Sequence, residues 1–186
     1  MQTRFYPIAL MLFLGTGLTP IYSTAQPVLV PDYTEVTDER LLKPEAHNWL
    51  SYRGTLDGWG FSRLNEIDDS NVQQLEPVWS FSTGVLGGHE APPIVNNGVM
   101  FVTTPGNLVY AIDAASGDLL WRYQHDLPET YIAFHRTNRG VALYGDKVYT
   151  ATLDARVVAL DASTGRKVWD STVQDNNFGY YITMAP

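Results

Sequence analysis

The chain of 186 residues contains no cysteine, so no disulfide supports it and stability has to come from packing or a ligand. Positive charge is also scarce: 12 lysines and arginines stand against 20 aspartates and glutamates, and the basic residues form no cluster. That balance argues against nucleic acid and against an anionic membrane surface as partners. The four histidines, His47, His89, His125 and His135, lack the spacing of metal ligands, which sets a zinc centre aside. Also missing are a phosphate-binding loop, a dinucleotide glycine fingerprint beyond the first 25 residues and a Gly-x-Ser-x-Gly nucleophile turn.

One hydrophobic run is present near the start. Arg4 precedes Ile8-Ala9-Leu10-Met11-Leu12-Phe13-Leu14, and Ser23-Thr24-Ala25 follows with the small residues that a signal peptidase requires. Gly15, Gly17 and Pro20 interrupt the run, which is too short to span a bilayer comfortably. Residues 1–25 are therefore expected to be an export signal, with an uncleaved anchor as the alternative. Cleavage after Ala25 leaves 161 residues, a formal charge of −9 and no stable membrane span.

What the chain has in quantity is a repeat. Ala111-Ile112-Asp113-Ala114-Ala115-Ser116-Gly117-Asp118-Leu119-Leu120-Trp121 returns as Ala159-Leu160-Asp161-Ala162-Ser163-Thr164-Gly165-Arg166-Lys167-Val168-Trp169, 48 residues later. The offset holds upstream, where Gly98–Thr104 falls on Asp146–Thr152. Such a period marks units that bury their apolar faces against neighbours. Each copy reads as a β-branched and aromatic strand, a turn opened by aspartate and reversed by glycine, and a returning strand that carries tryptophan. By itself the phrase leaves open whether the tryptophans do more than fill a β-meander core.

In chain order, residues 26–74 form a leader, extended and rich in Pro, Asp and Glu at first, with a short helix expected at Asp38–Leu42. Asn48–Gly54 reads as strand-like, and Asp69–Leu75 as a capped helical turn. Residues 75–186 hold the repeats, about 91–125 and 139–173. Leu75–Phe81 is expected to be the outer strand of a preceding unit, and Tyr180–Thr183 to open a further one. A chain ending there reads as the N-terminal portion of a longer protein.

Three segments place polar groups at the lead-in to successive units: Gly87-Gly88-His89-Glu90-Ala91, Thr137-Asn138-Arg139-Gly140 and Tyr181-Ile182-Thr183-Met184-Ala185-Pro186. In a radial fold these lead-ins face one end of the central channel. A carboxylate, a guanidinium and a hydroxyl gathered there suit a planar ligand with several charged groups. The alternative for Glu90 and Arg139 is a buried ion pair between units.

The doubled Ala-x-Asp-x-x-(Ser/Thr)-Gly-x-x-x-Trp phrase resembles the tryptophan-docking motif of the quinoprotein alcohol dehydrogenases, a resemblance that covers essentially all of the mature chain. The docking motif also occurs in non-enzymatic propellers, but the three lead-ins in order narrow the match. Gly87–Ala91 resembles that family's Gly-Gly-Gln-Glu-Ala loop with His89 replacing Gln. Asn138-Arg139-Gly140 matches its Asn-Arg-Gly loop, and Tyr181–Pro186 its Tyr-x-Thr-x-Ala-Pro segment except just before the alanine. The resemblance implies an all-β fold, two to three blades of an eight-bladed propeller. It also implies that Glu90, Arg139 and Thr183 contact pyrroloquinoline quinone.

Many members place two adjacent cysteines against the cofactor where this chain has Ala133 and Phe134. Either Phe134 supplies an aromatic face there or the cofactor is held differently. The family's cation ligands, for calcium or a lanthanide, and its catalytic aspartate fall beyond Pro186, so no catalytic or metal residue is assigned here. The implied function is part of a periplasmic enzyme oxidising alcohols to aldehydes and passing electrons to an acceptor such as a cytochrome c. This chain is expected to be inactive alone. The alternative is a non-catalytic propeller that serves as an outer-membrane assembly scaffold or binding platform.

Overall fold

The computed structural model describes residues 29, 30 and 32–186; the export signal expected at 1–25 lies outside them. Eight strands follow one short helix, α1 (Asp38–Leu42). They are β1 (Ile94–Asn96), β2 (Val99–Thr104), β3 (Leu108–Asp113) and β4 (Leu119–Gln124), then β5 (Val141–Tyr144), β6 (Lys147–Ala151), β7 (Arg156–Asp161) and β8 (Lys167–Thr172). They form two four-stranded antiparallel meanders, β1-β2-β3-β4 and β5-β6-β7-β8.

The two sheets repeat in detail. Ala111 faces Trp121 and Ala159 faces Trp169, and both ladders slip by a bulge at the next residue. The aspartates open the turns as their chemistry suggests. Asp113 accepts the N–H groups of Ala115 and Ser116 at 2.9 Å, and Asp161 accepts N–H and hydroxyl of Thr164 at 2.8 Å.

Trp79 and Trp121 do more than fill a core, because each reaches the sheet that follows it. Trp79 Nε1 donates to Ala114 O at 3.1 Å, and Trp121 Nε1 donates to Ala162 O at 2.9 Å. Each indole lies on the turn glycine of the sheet that it reaches. A Cβ on Gly117 would stand 2.7 Å from Trp79, and one on Gly165 would stand 2.6 Å from Trp121. Those glycines are needed twice, for φ values of 80° and 69° and for the room that the indole takes. Phe101, Val109, Val148, Val158 and Leu160 belong to the shared core, and the Trp121 ring packs tilted against Phe101 with centroids 5.8 Å apart. Burying a side chain of that size contributes roughly 1.5–3 kcal/mol.

Two strand expectations need correction. Leu75–Phe81 pairs with no strand among the described residues, although Trp79 docks as a blade tryptophan does. A lone strand lacks the ladder that would make it regular. Asn48–Gly54 is a series of bends with one bridge, Trp49 to Val95, because Gly54 turns back onto the Trp49 ring. The helical turn expected at Asp69–Leu75 is a 3₁₀ turn, Val72–Gln74.

The leader ties both sheets at one end. Val30 N–H donates to Ser163 O at 3.0 Å, and Val36 exchanges hydrogen bonds with Gly145. Helix α1 covers the residues expected and is capped by Thr37. From it Arg40 holds Glu45 at 2.8 Å and donates to Asn96 Oδ1 at 2.9 Å. These contacts fall on alternate turns of the meanders. The intervening turns, and the lead-ins to β1 and β5, therefore lie at the other end.

Candidate functional site

At that other end the three lead-ins meet. The guanidinium of Arg139, just before β5, is 3.0 Å from the Glu90 carboxylate that precedes β1. Its Nη1 donates to Thr183 Oγ1 at 2.6 Å, while the Arg139 N–H donates to Thr183 O at 2.8 Å. Glu90, Arg139 and Thr183 are thus brought together, as their equivalent positions suggest. The buried ion pair offered as the alternative is half right: the pair joins two sheets, but each side chain is 43 % exposed. An ion pair so open to water is worth about 0–1 kcal/mol, little for a structural staple. Two of the five guanidinium N–H groups are engaged within the described residues, leaving three without a partner there.

Two clefts lie along the loop that carries Glu90. One, of about 470 Å³, runs past Glu90 between Tyr52, Arg53 and His89. The other, of about 300 Å³, is walled by Gly87, Gly88, Arg136 and Thr137. The Thr137 hydroxyl is buried and finds no partner among the described residues. His89 is held by its own loop, 3.0 Å from Gly87 O and 3.0 Å from Thr83 Oγ1. Phe134 is 84 % exposed and stands edge-on to Tyr181 at 6.4 Å, two residues from Thr183.

Beneath the surface lies a polar layer that sequence reasoning missed. Asn138 Oδ1 accepts from Thr103 Oγ1 at 2.9 Å and from Gly140 N at 3.0 Å, while Nδ2 donates to Ala151 O at 2.9 Å. Asn107 donates to the same carbonyl at 3.1 Å and accepts from Leu153 N–H at 3.0 Å. Nearby, His125 Nε2 contacts both Asp154 carboxylate oxygens at 3.0 Å, and Thr152 Oγ1 donates to Asp154 at 2.5 Å. The available signal was an asparagine where the repeat turns into a strand, at Asn107 and Asn138. No group of three or more potential metal-ligating side chains occurs among the described residues.

Tryptophan-docked, four-stranded sheets with their lead-ins gathered at one end define part of a β-propeller. The profile of the PQQ family, described as the β-propeller domain of glucose, ethanol and alcohol dehydrogenases, matches residues 49–171. The chain is 37 % identical to a quinoprotein ethanol dehydrogenase of Pseudomonas putida over 96 % of its own length and 28 % of that protein. It is 43 % identical to a 1-butanol dehydrogenase (quinone) of Thauera butanivorans, over 74 % of this chain and 22 % of the relative. Among solved structures, the quinohemoprotein alcohol dehydrogenase ADHIIG of Pseudomonas putida HK5 superposes with a TM-score of 0.77 at 38 % identity. That match covers 83 % of this chain and 23 % of the other. The chain belongs to the quinoprotein alcohol dehydrogenase family. It spans about a quarter of the length of the curated relatives that it matches. These relatives are named as enzymes, which does not favour a non-catalytic scaffold.

Proposed function

We propose that this chain is the portion of a periplasmic alcohol dehydrogenase that supplies one side of a pyrroloquinoline quinone site. The convergence of Glu90, Arg139 and Thr183 at a single point carries the reading. Their chemistry fits a planar polycarboxylate. Arg139 has N–H groups left for a bidentate hold on a carboxylate, and Glu90 accepts from a ring N–H. Thr183, whose oxygen already accepts from Arg139, has its own hydrogen to give to a ligand oxygen. Phe134, edge-on to Tyr181, offers an exposed aromatic face.

Held by Glu90, Arg139 and Thr183, the quinone would supply the acceptor for the hydride that an alcohol loses, together with its hydroxyl proton, on becoming an aldehyde. The residues of this chain bind and orient it. Arg139 places positive charge beside it, and the glycine-rich loop before Glu90 lets backbone approach closely. A cation, calcium or a lanthanide, completes the proposed site, and a cytochrome c is the proposed electron acceptor. One solved neighbour is described as a europium-containing methanol dehydrogenase, with a TM-score of 0.75 at 34 % identity. One relative is named a 1-butanol dehydrogenase (cytochrome c). Export through residues 1–25 takes the protein to the periplasm.

Alone, the chain holds the quinone weakly and turns nothing over, because three contacts are a fraction of an enclosed site. Each missing charge-assisted contact costs about 1.5–3 kcal/mol. The test is to purify residues 26–186, add quinone with calcium or a lanthanide, and follow dye reduction by short alcohols. No turnover is expected, with weak quinone binding that Arg139→Ala abolishes. Sustained turnover contradicts the inactivity, and binding indifferent to Arg139 contradicts the site.

A further inference from the structure

We infer that Asn138, which does not itself reach a ligand, is the positioning residue that aims the Arg139 guanidinium between Glu90 and Thr183. The inference rests on the quinone-site reading and adds a residue to it. Asn138 is 1 % exposed, so its side chain is closed to any ligand in the clefts. Its hydrogen bonds instead bracket Arg139. Oδ1 accepts from Gly140 N, the residue after Arg139, and closes the backbone around it. The same oxygen accepts from Thr103 on β2, and the amide nitrogen donates to Ala151 on β6. One buried amide therefore fixes the arginine-bearing turn to both sheets at once.

The turn has little slack elsewhere. Gly140 has a φ of 125°, and a Cβ there would stand 3.7 Å from Ala185 and 3.9 Å from Pro92. Pro92 belongs to the Glu90 lead-in and Ala185 to the Thr183 lead-in, so the three segments come together around Gly140. Arg139 N–H is bound to Thr183 O at 2.8 Å on its other side. A long arginine side chain ordinarily samples many rotamers. Here its root is held on both flanks, which leaves the guanidinium fewer directions. Asn107 is a natural control: it donates to the same Ala151 carbonyl but makes no bond to the 138–140 turn.

The experiment compares Asn138→Ala, Asn138→Asp and Asn107→Ala in the chain of residues 26–186, using two readouts and a melting curve. The first readout needs no ligand: ¹⁵N NMR of arginine side chains reports whether the Arg139 guanidinium rotates freely. In the parent, slow rotation is expected, with resolved Nη signals. Asn138→Ala should collapse them to the averaged signal of a free arginine, whereas Asn107→Ala should keep them although both variants melt earlier. Asn138→Asp retains the acceptor for Gly140 and Thr103 and loses the donor to Ala151, so it should keep the resolved signals. If Asn138→Ala does not fold, the decision passes to Asn138→Asp against Asn107→Ala. Averaging in the aspartate variant, or equal averaging in both, overturns the inference.

The second readout is quinone affinity by fluorescence titration. Asn138→Ala should lose about tenfold, on the order of one charge-assisted contact, while Asn107→Ala stays within about twofold. If Arg139→Ala leaves affinity unchanged, the quinone-site reading fails while the NMR result still decides the positioning. If Arg139→Ala loses affinity and Asn138→Ala, with freed Arg139 signals, does not, the positioning has no consequence for binding and the inference fails.

Discussion

Trp121 and Trp169 occupy the same register, each opposite the same alanine of the repeat, yet Trp121 is 3 % exposed and Trp169 is 41 % exposed. The difference is what lies on them. Trp121 reaches the Ala162 carbonyl and covers Gly165, whereas Trp169 touches Tyr149 of its own sheet at 5.9 Å. The pair teaches that the repeated phrase is half of a joint. Its turn receives one tryptophan and its strand offers another, so the same motif carries different energy according to whether both halves are engaged.

The largest expected effect sharpens that contrast. Trp121→Ala should cost about 3–5 kcal/mol by urea denaturation, as buried aromatic truncations do. Trp169→Ala should cost roughly 1 kcal/mol, in keeping with a half-exposed surface position. Equal losses would break the comparison.

A smaller effect isolates the glycine half of the joint. Gly165→Ala meets both a positive φ and the Trp121 ring, so it should cost more than about 1 kcal/mol. Gly179 has a φ of 84° and nothing within 4 Å of a built Cβ, so Gly179→Ala should cost less. Should the two cost the same, the indole contact contributes nothing beyond backbone conformation.

The smallest effect concerns the leader strap. Hydrogen bonding to Arg40 and then Asn48 lowers the Glu45 carboxyl from 4.5 to about 2 in the folded state. A depressed carboxyl stabilises the fold fully above its unfolded value, and that contribution fades as pH falls from about 4.5 toward about 2. Glu45→Gln should therefore melt slightly earlier at pH 7, by no more than about 1 kcal/mol given the carboxylate's exposure. The two proteins should converge near pH 2, and a gap that widens with acid would contradict the assignment.

The two sheets were legible because the joint repeats at a fixed offset, so Trp121 and Trp169, Gly117 and Gly165, and Asp113 and Asp161 all announce one another. Helix α1 was legible from local chemistry, with Thr37 as cap. Leu75–Phe81 has the pattern of a paired strand because pattern reports the capacity of a segment to pair and not the presence of a neighbour. The bulges after Ala111 and Ala159 leave no mark in the pattern. At the site, equivalent lead-ins gave Glu90, Arg139 and Thr183 a common destination, and the family resemblance gave them a ligand. The anchoring role of Asn138 stayed silent because its bond to Thr103 joins residues 35 apart in sequence. The leader's hold on Asn96 through Arg40 is hidden for the same reason, a span of 56 residues.

The most direct test of the quinone site is a heteronuclear NMR titration of residues 26–186 with pyrroloquinoline quinone, which reads weak binding residue by residue. The expected result is a saturable set of shifts centred on the backbone amides of 88–90, 138–140 and 182–183, lost in Arg139→Ala. Shifts that gather instead around the exposed face of Trp169, or that persist without Arg139, would contradict it.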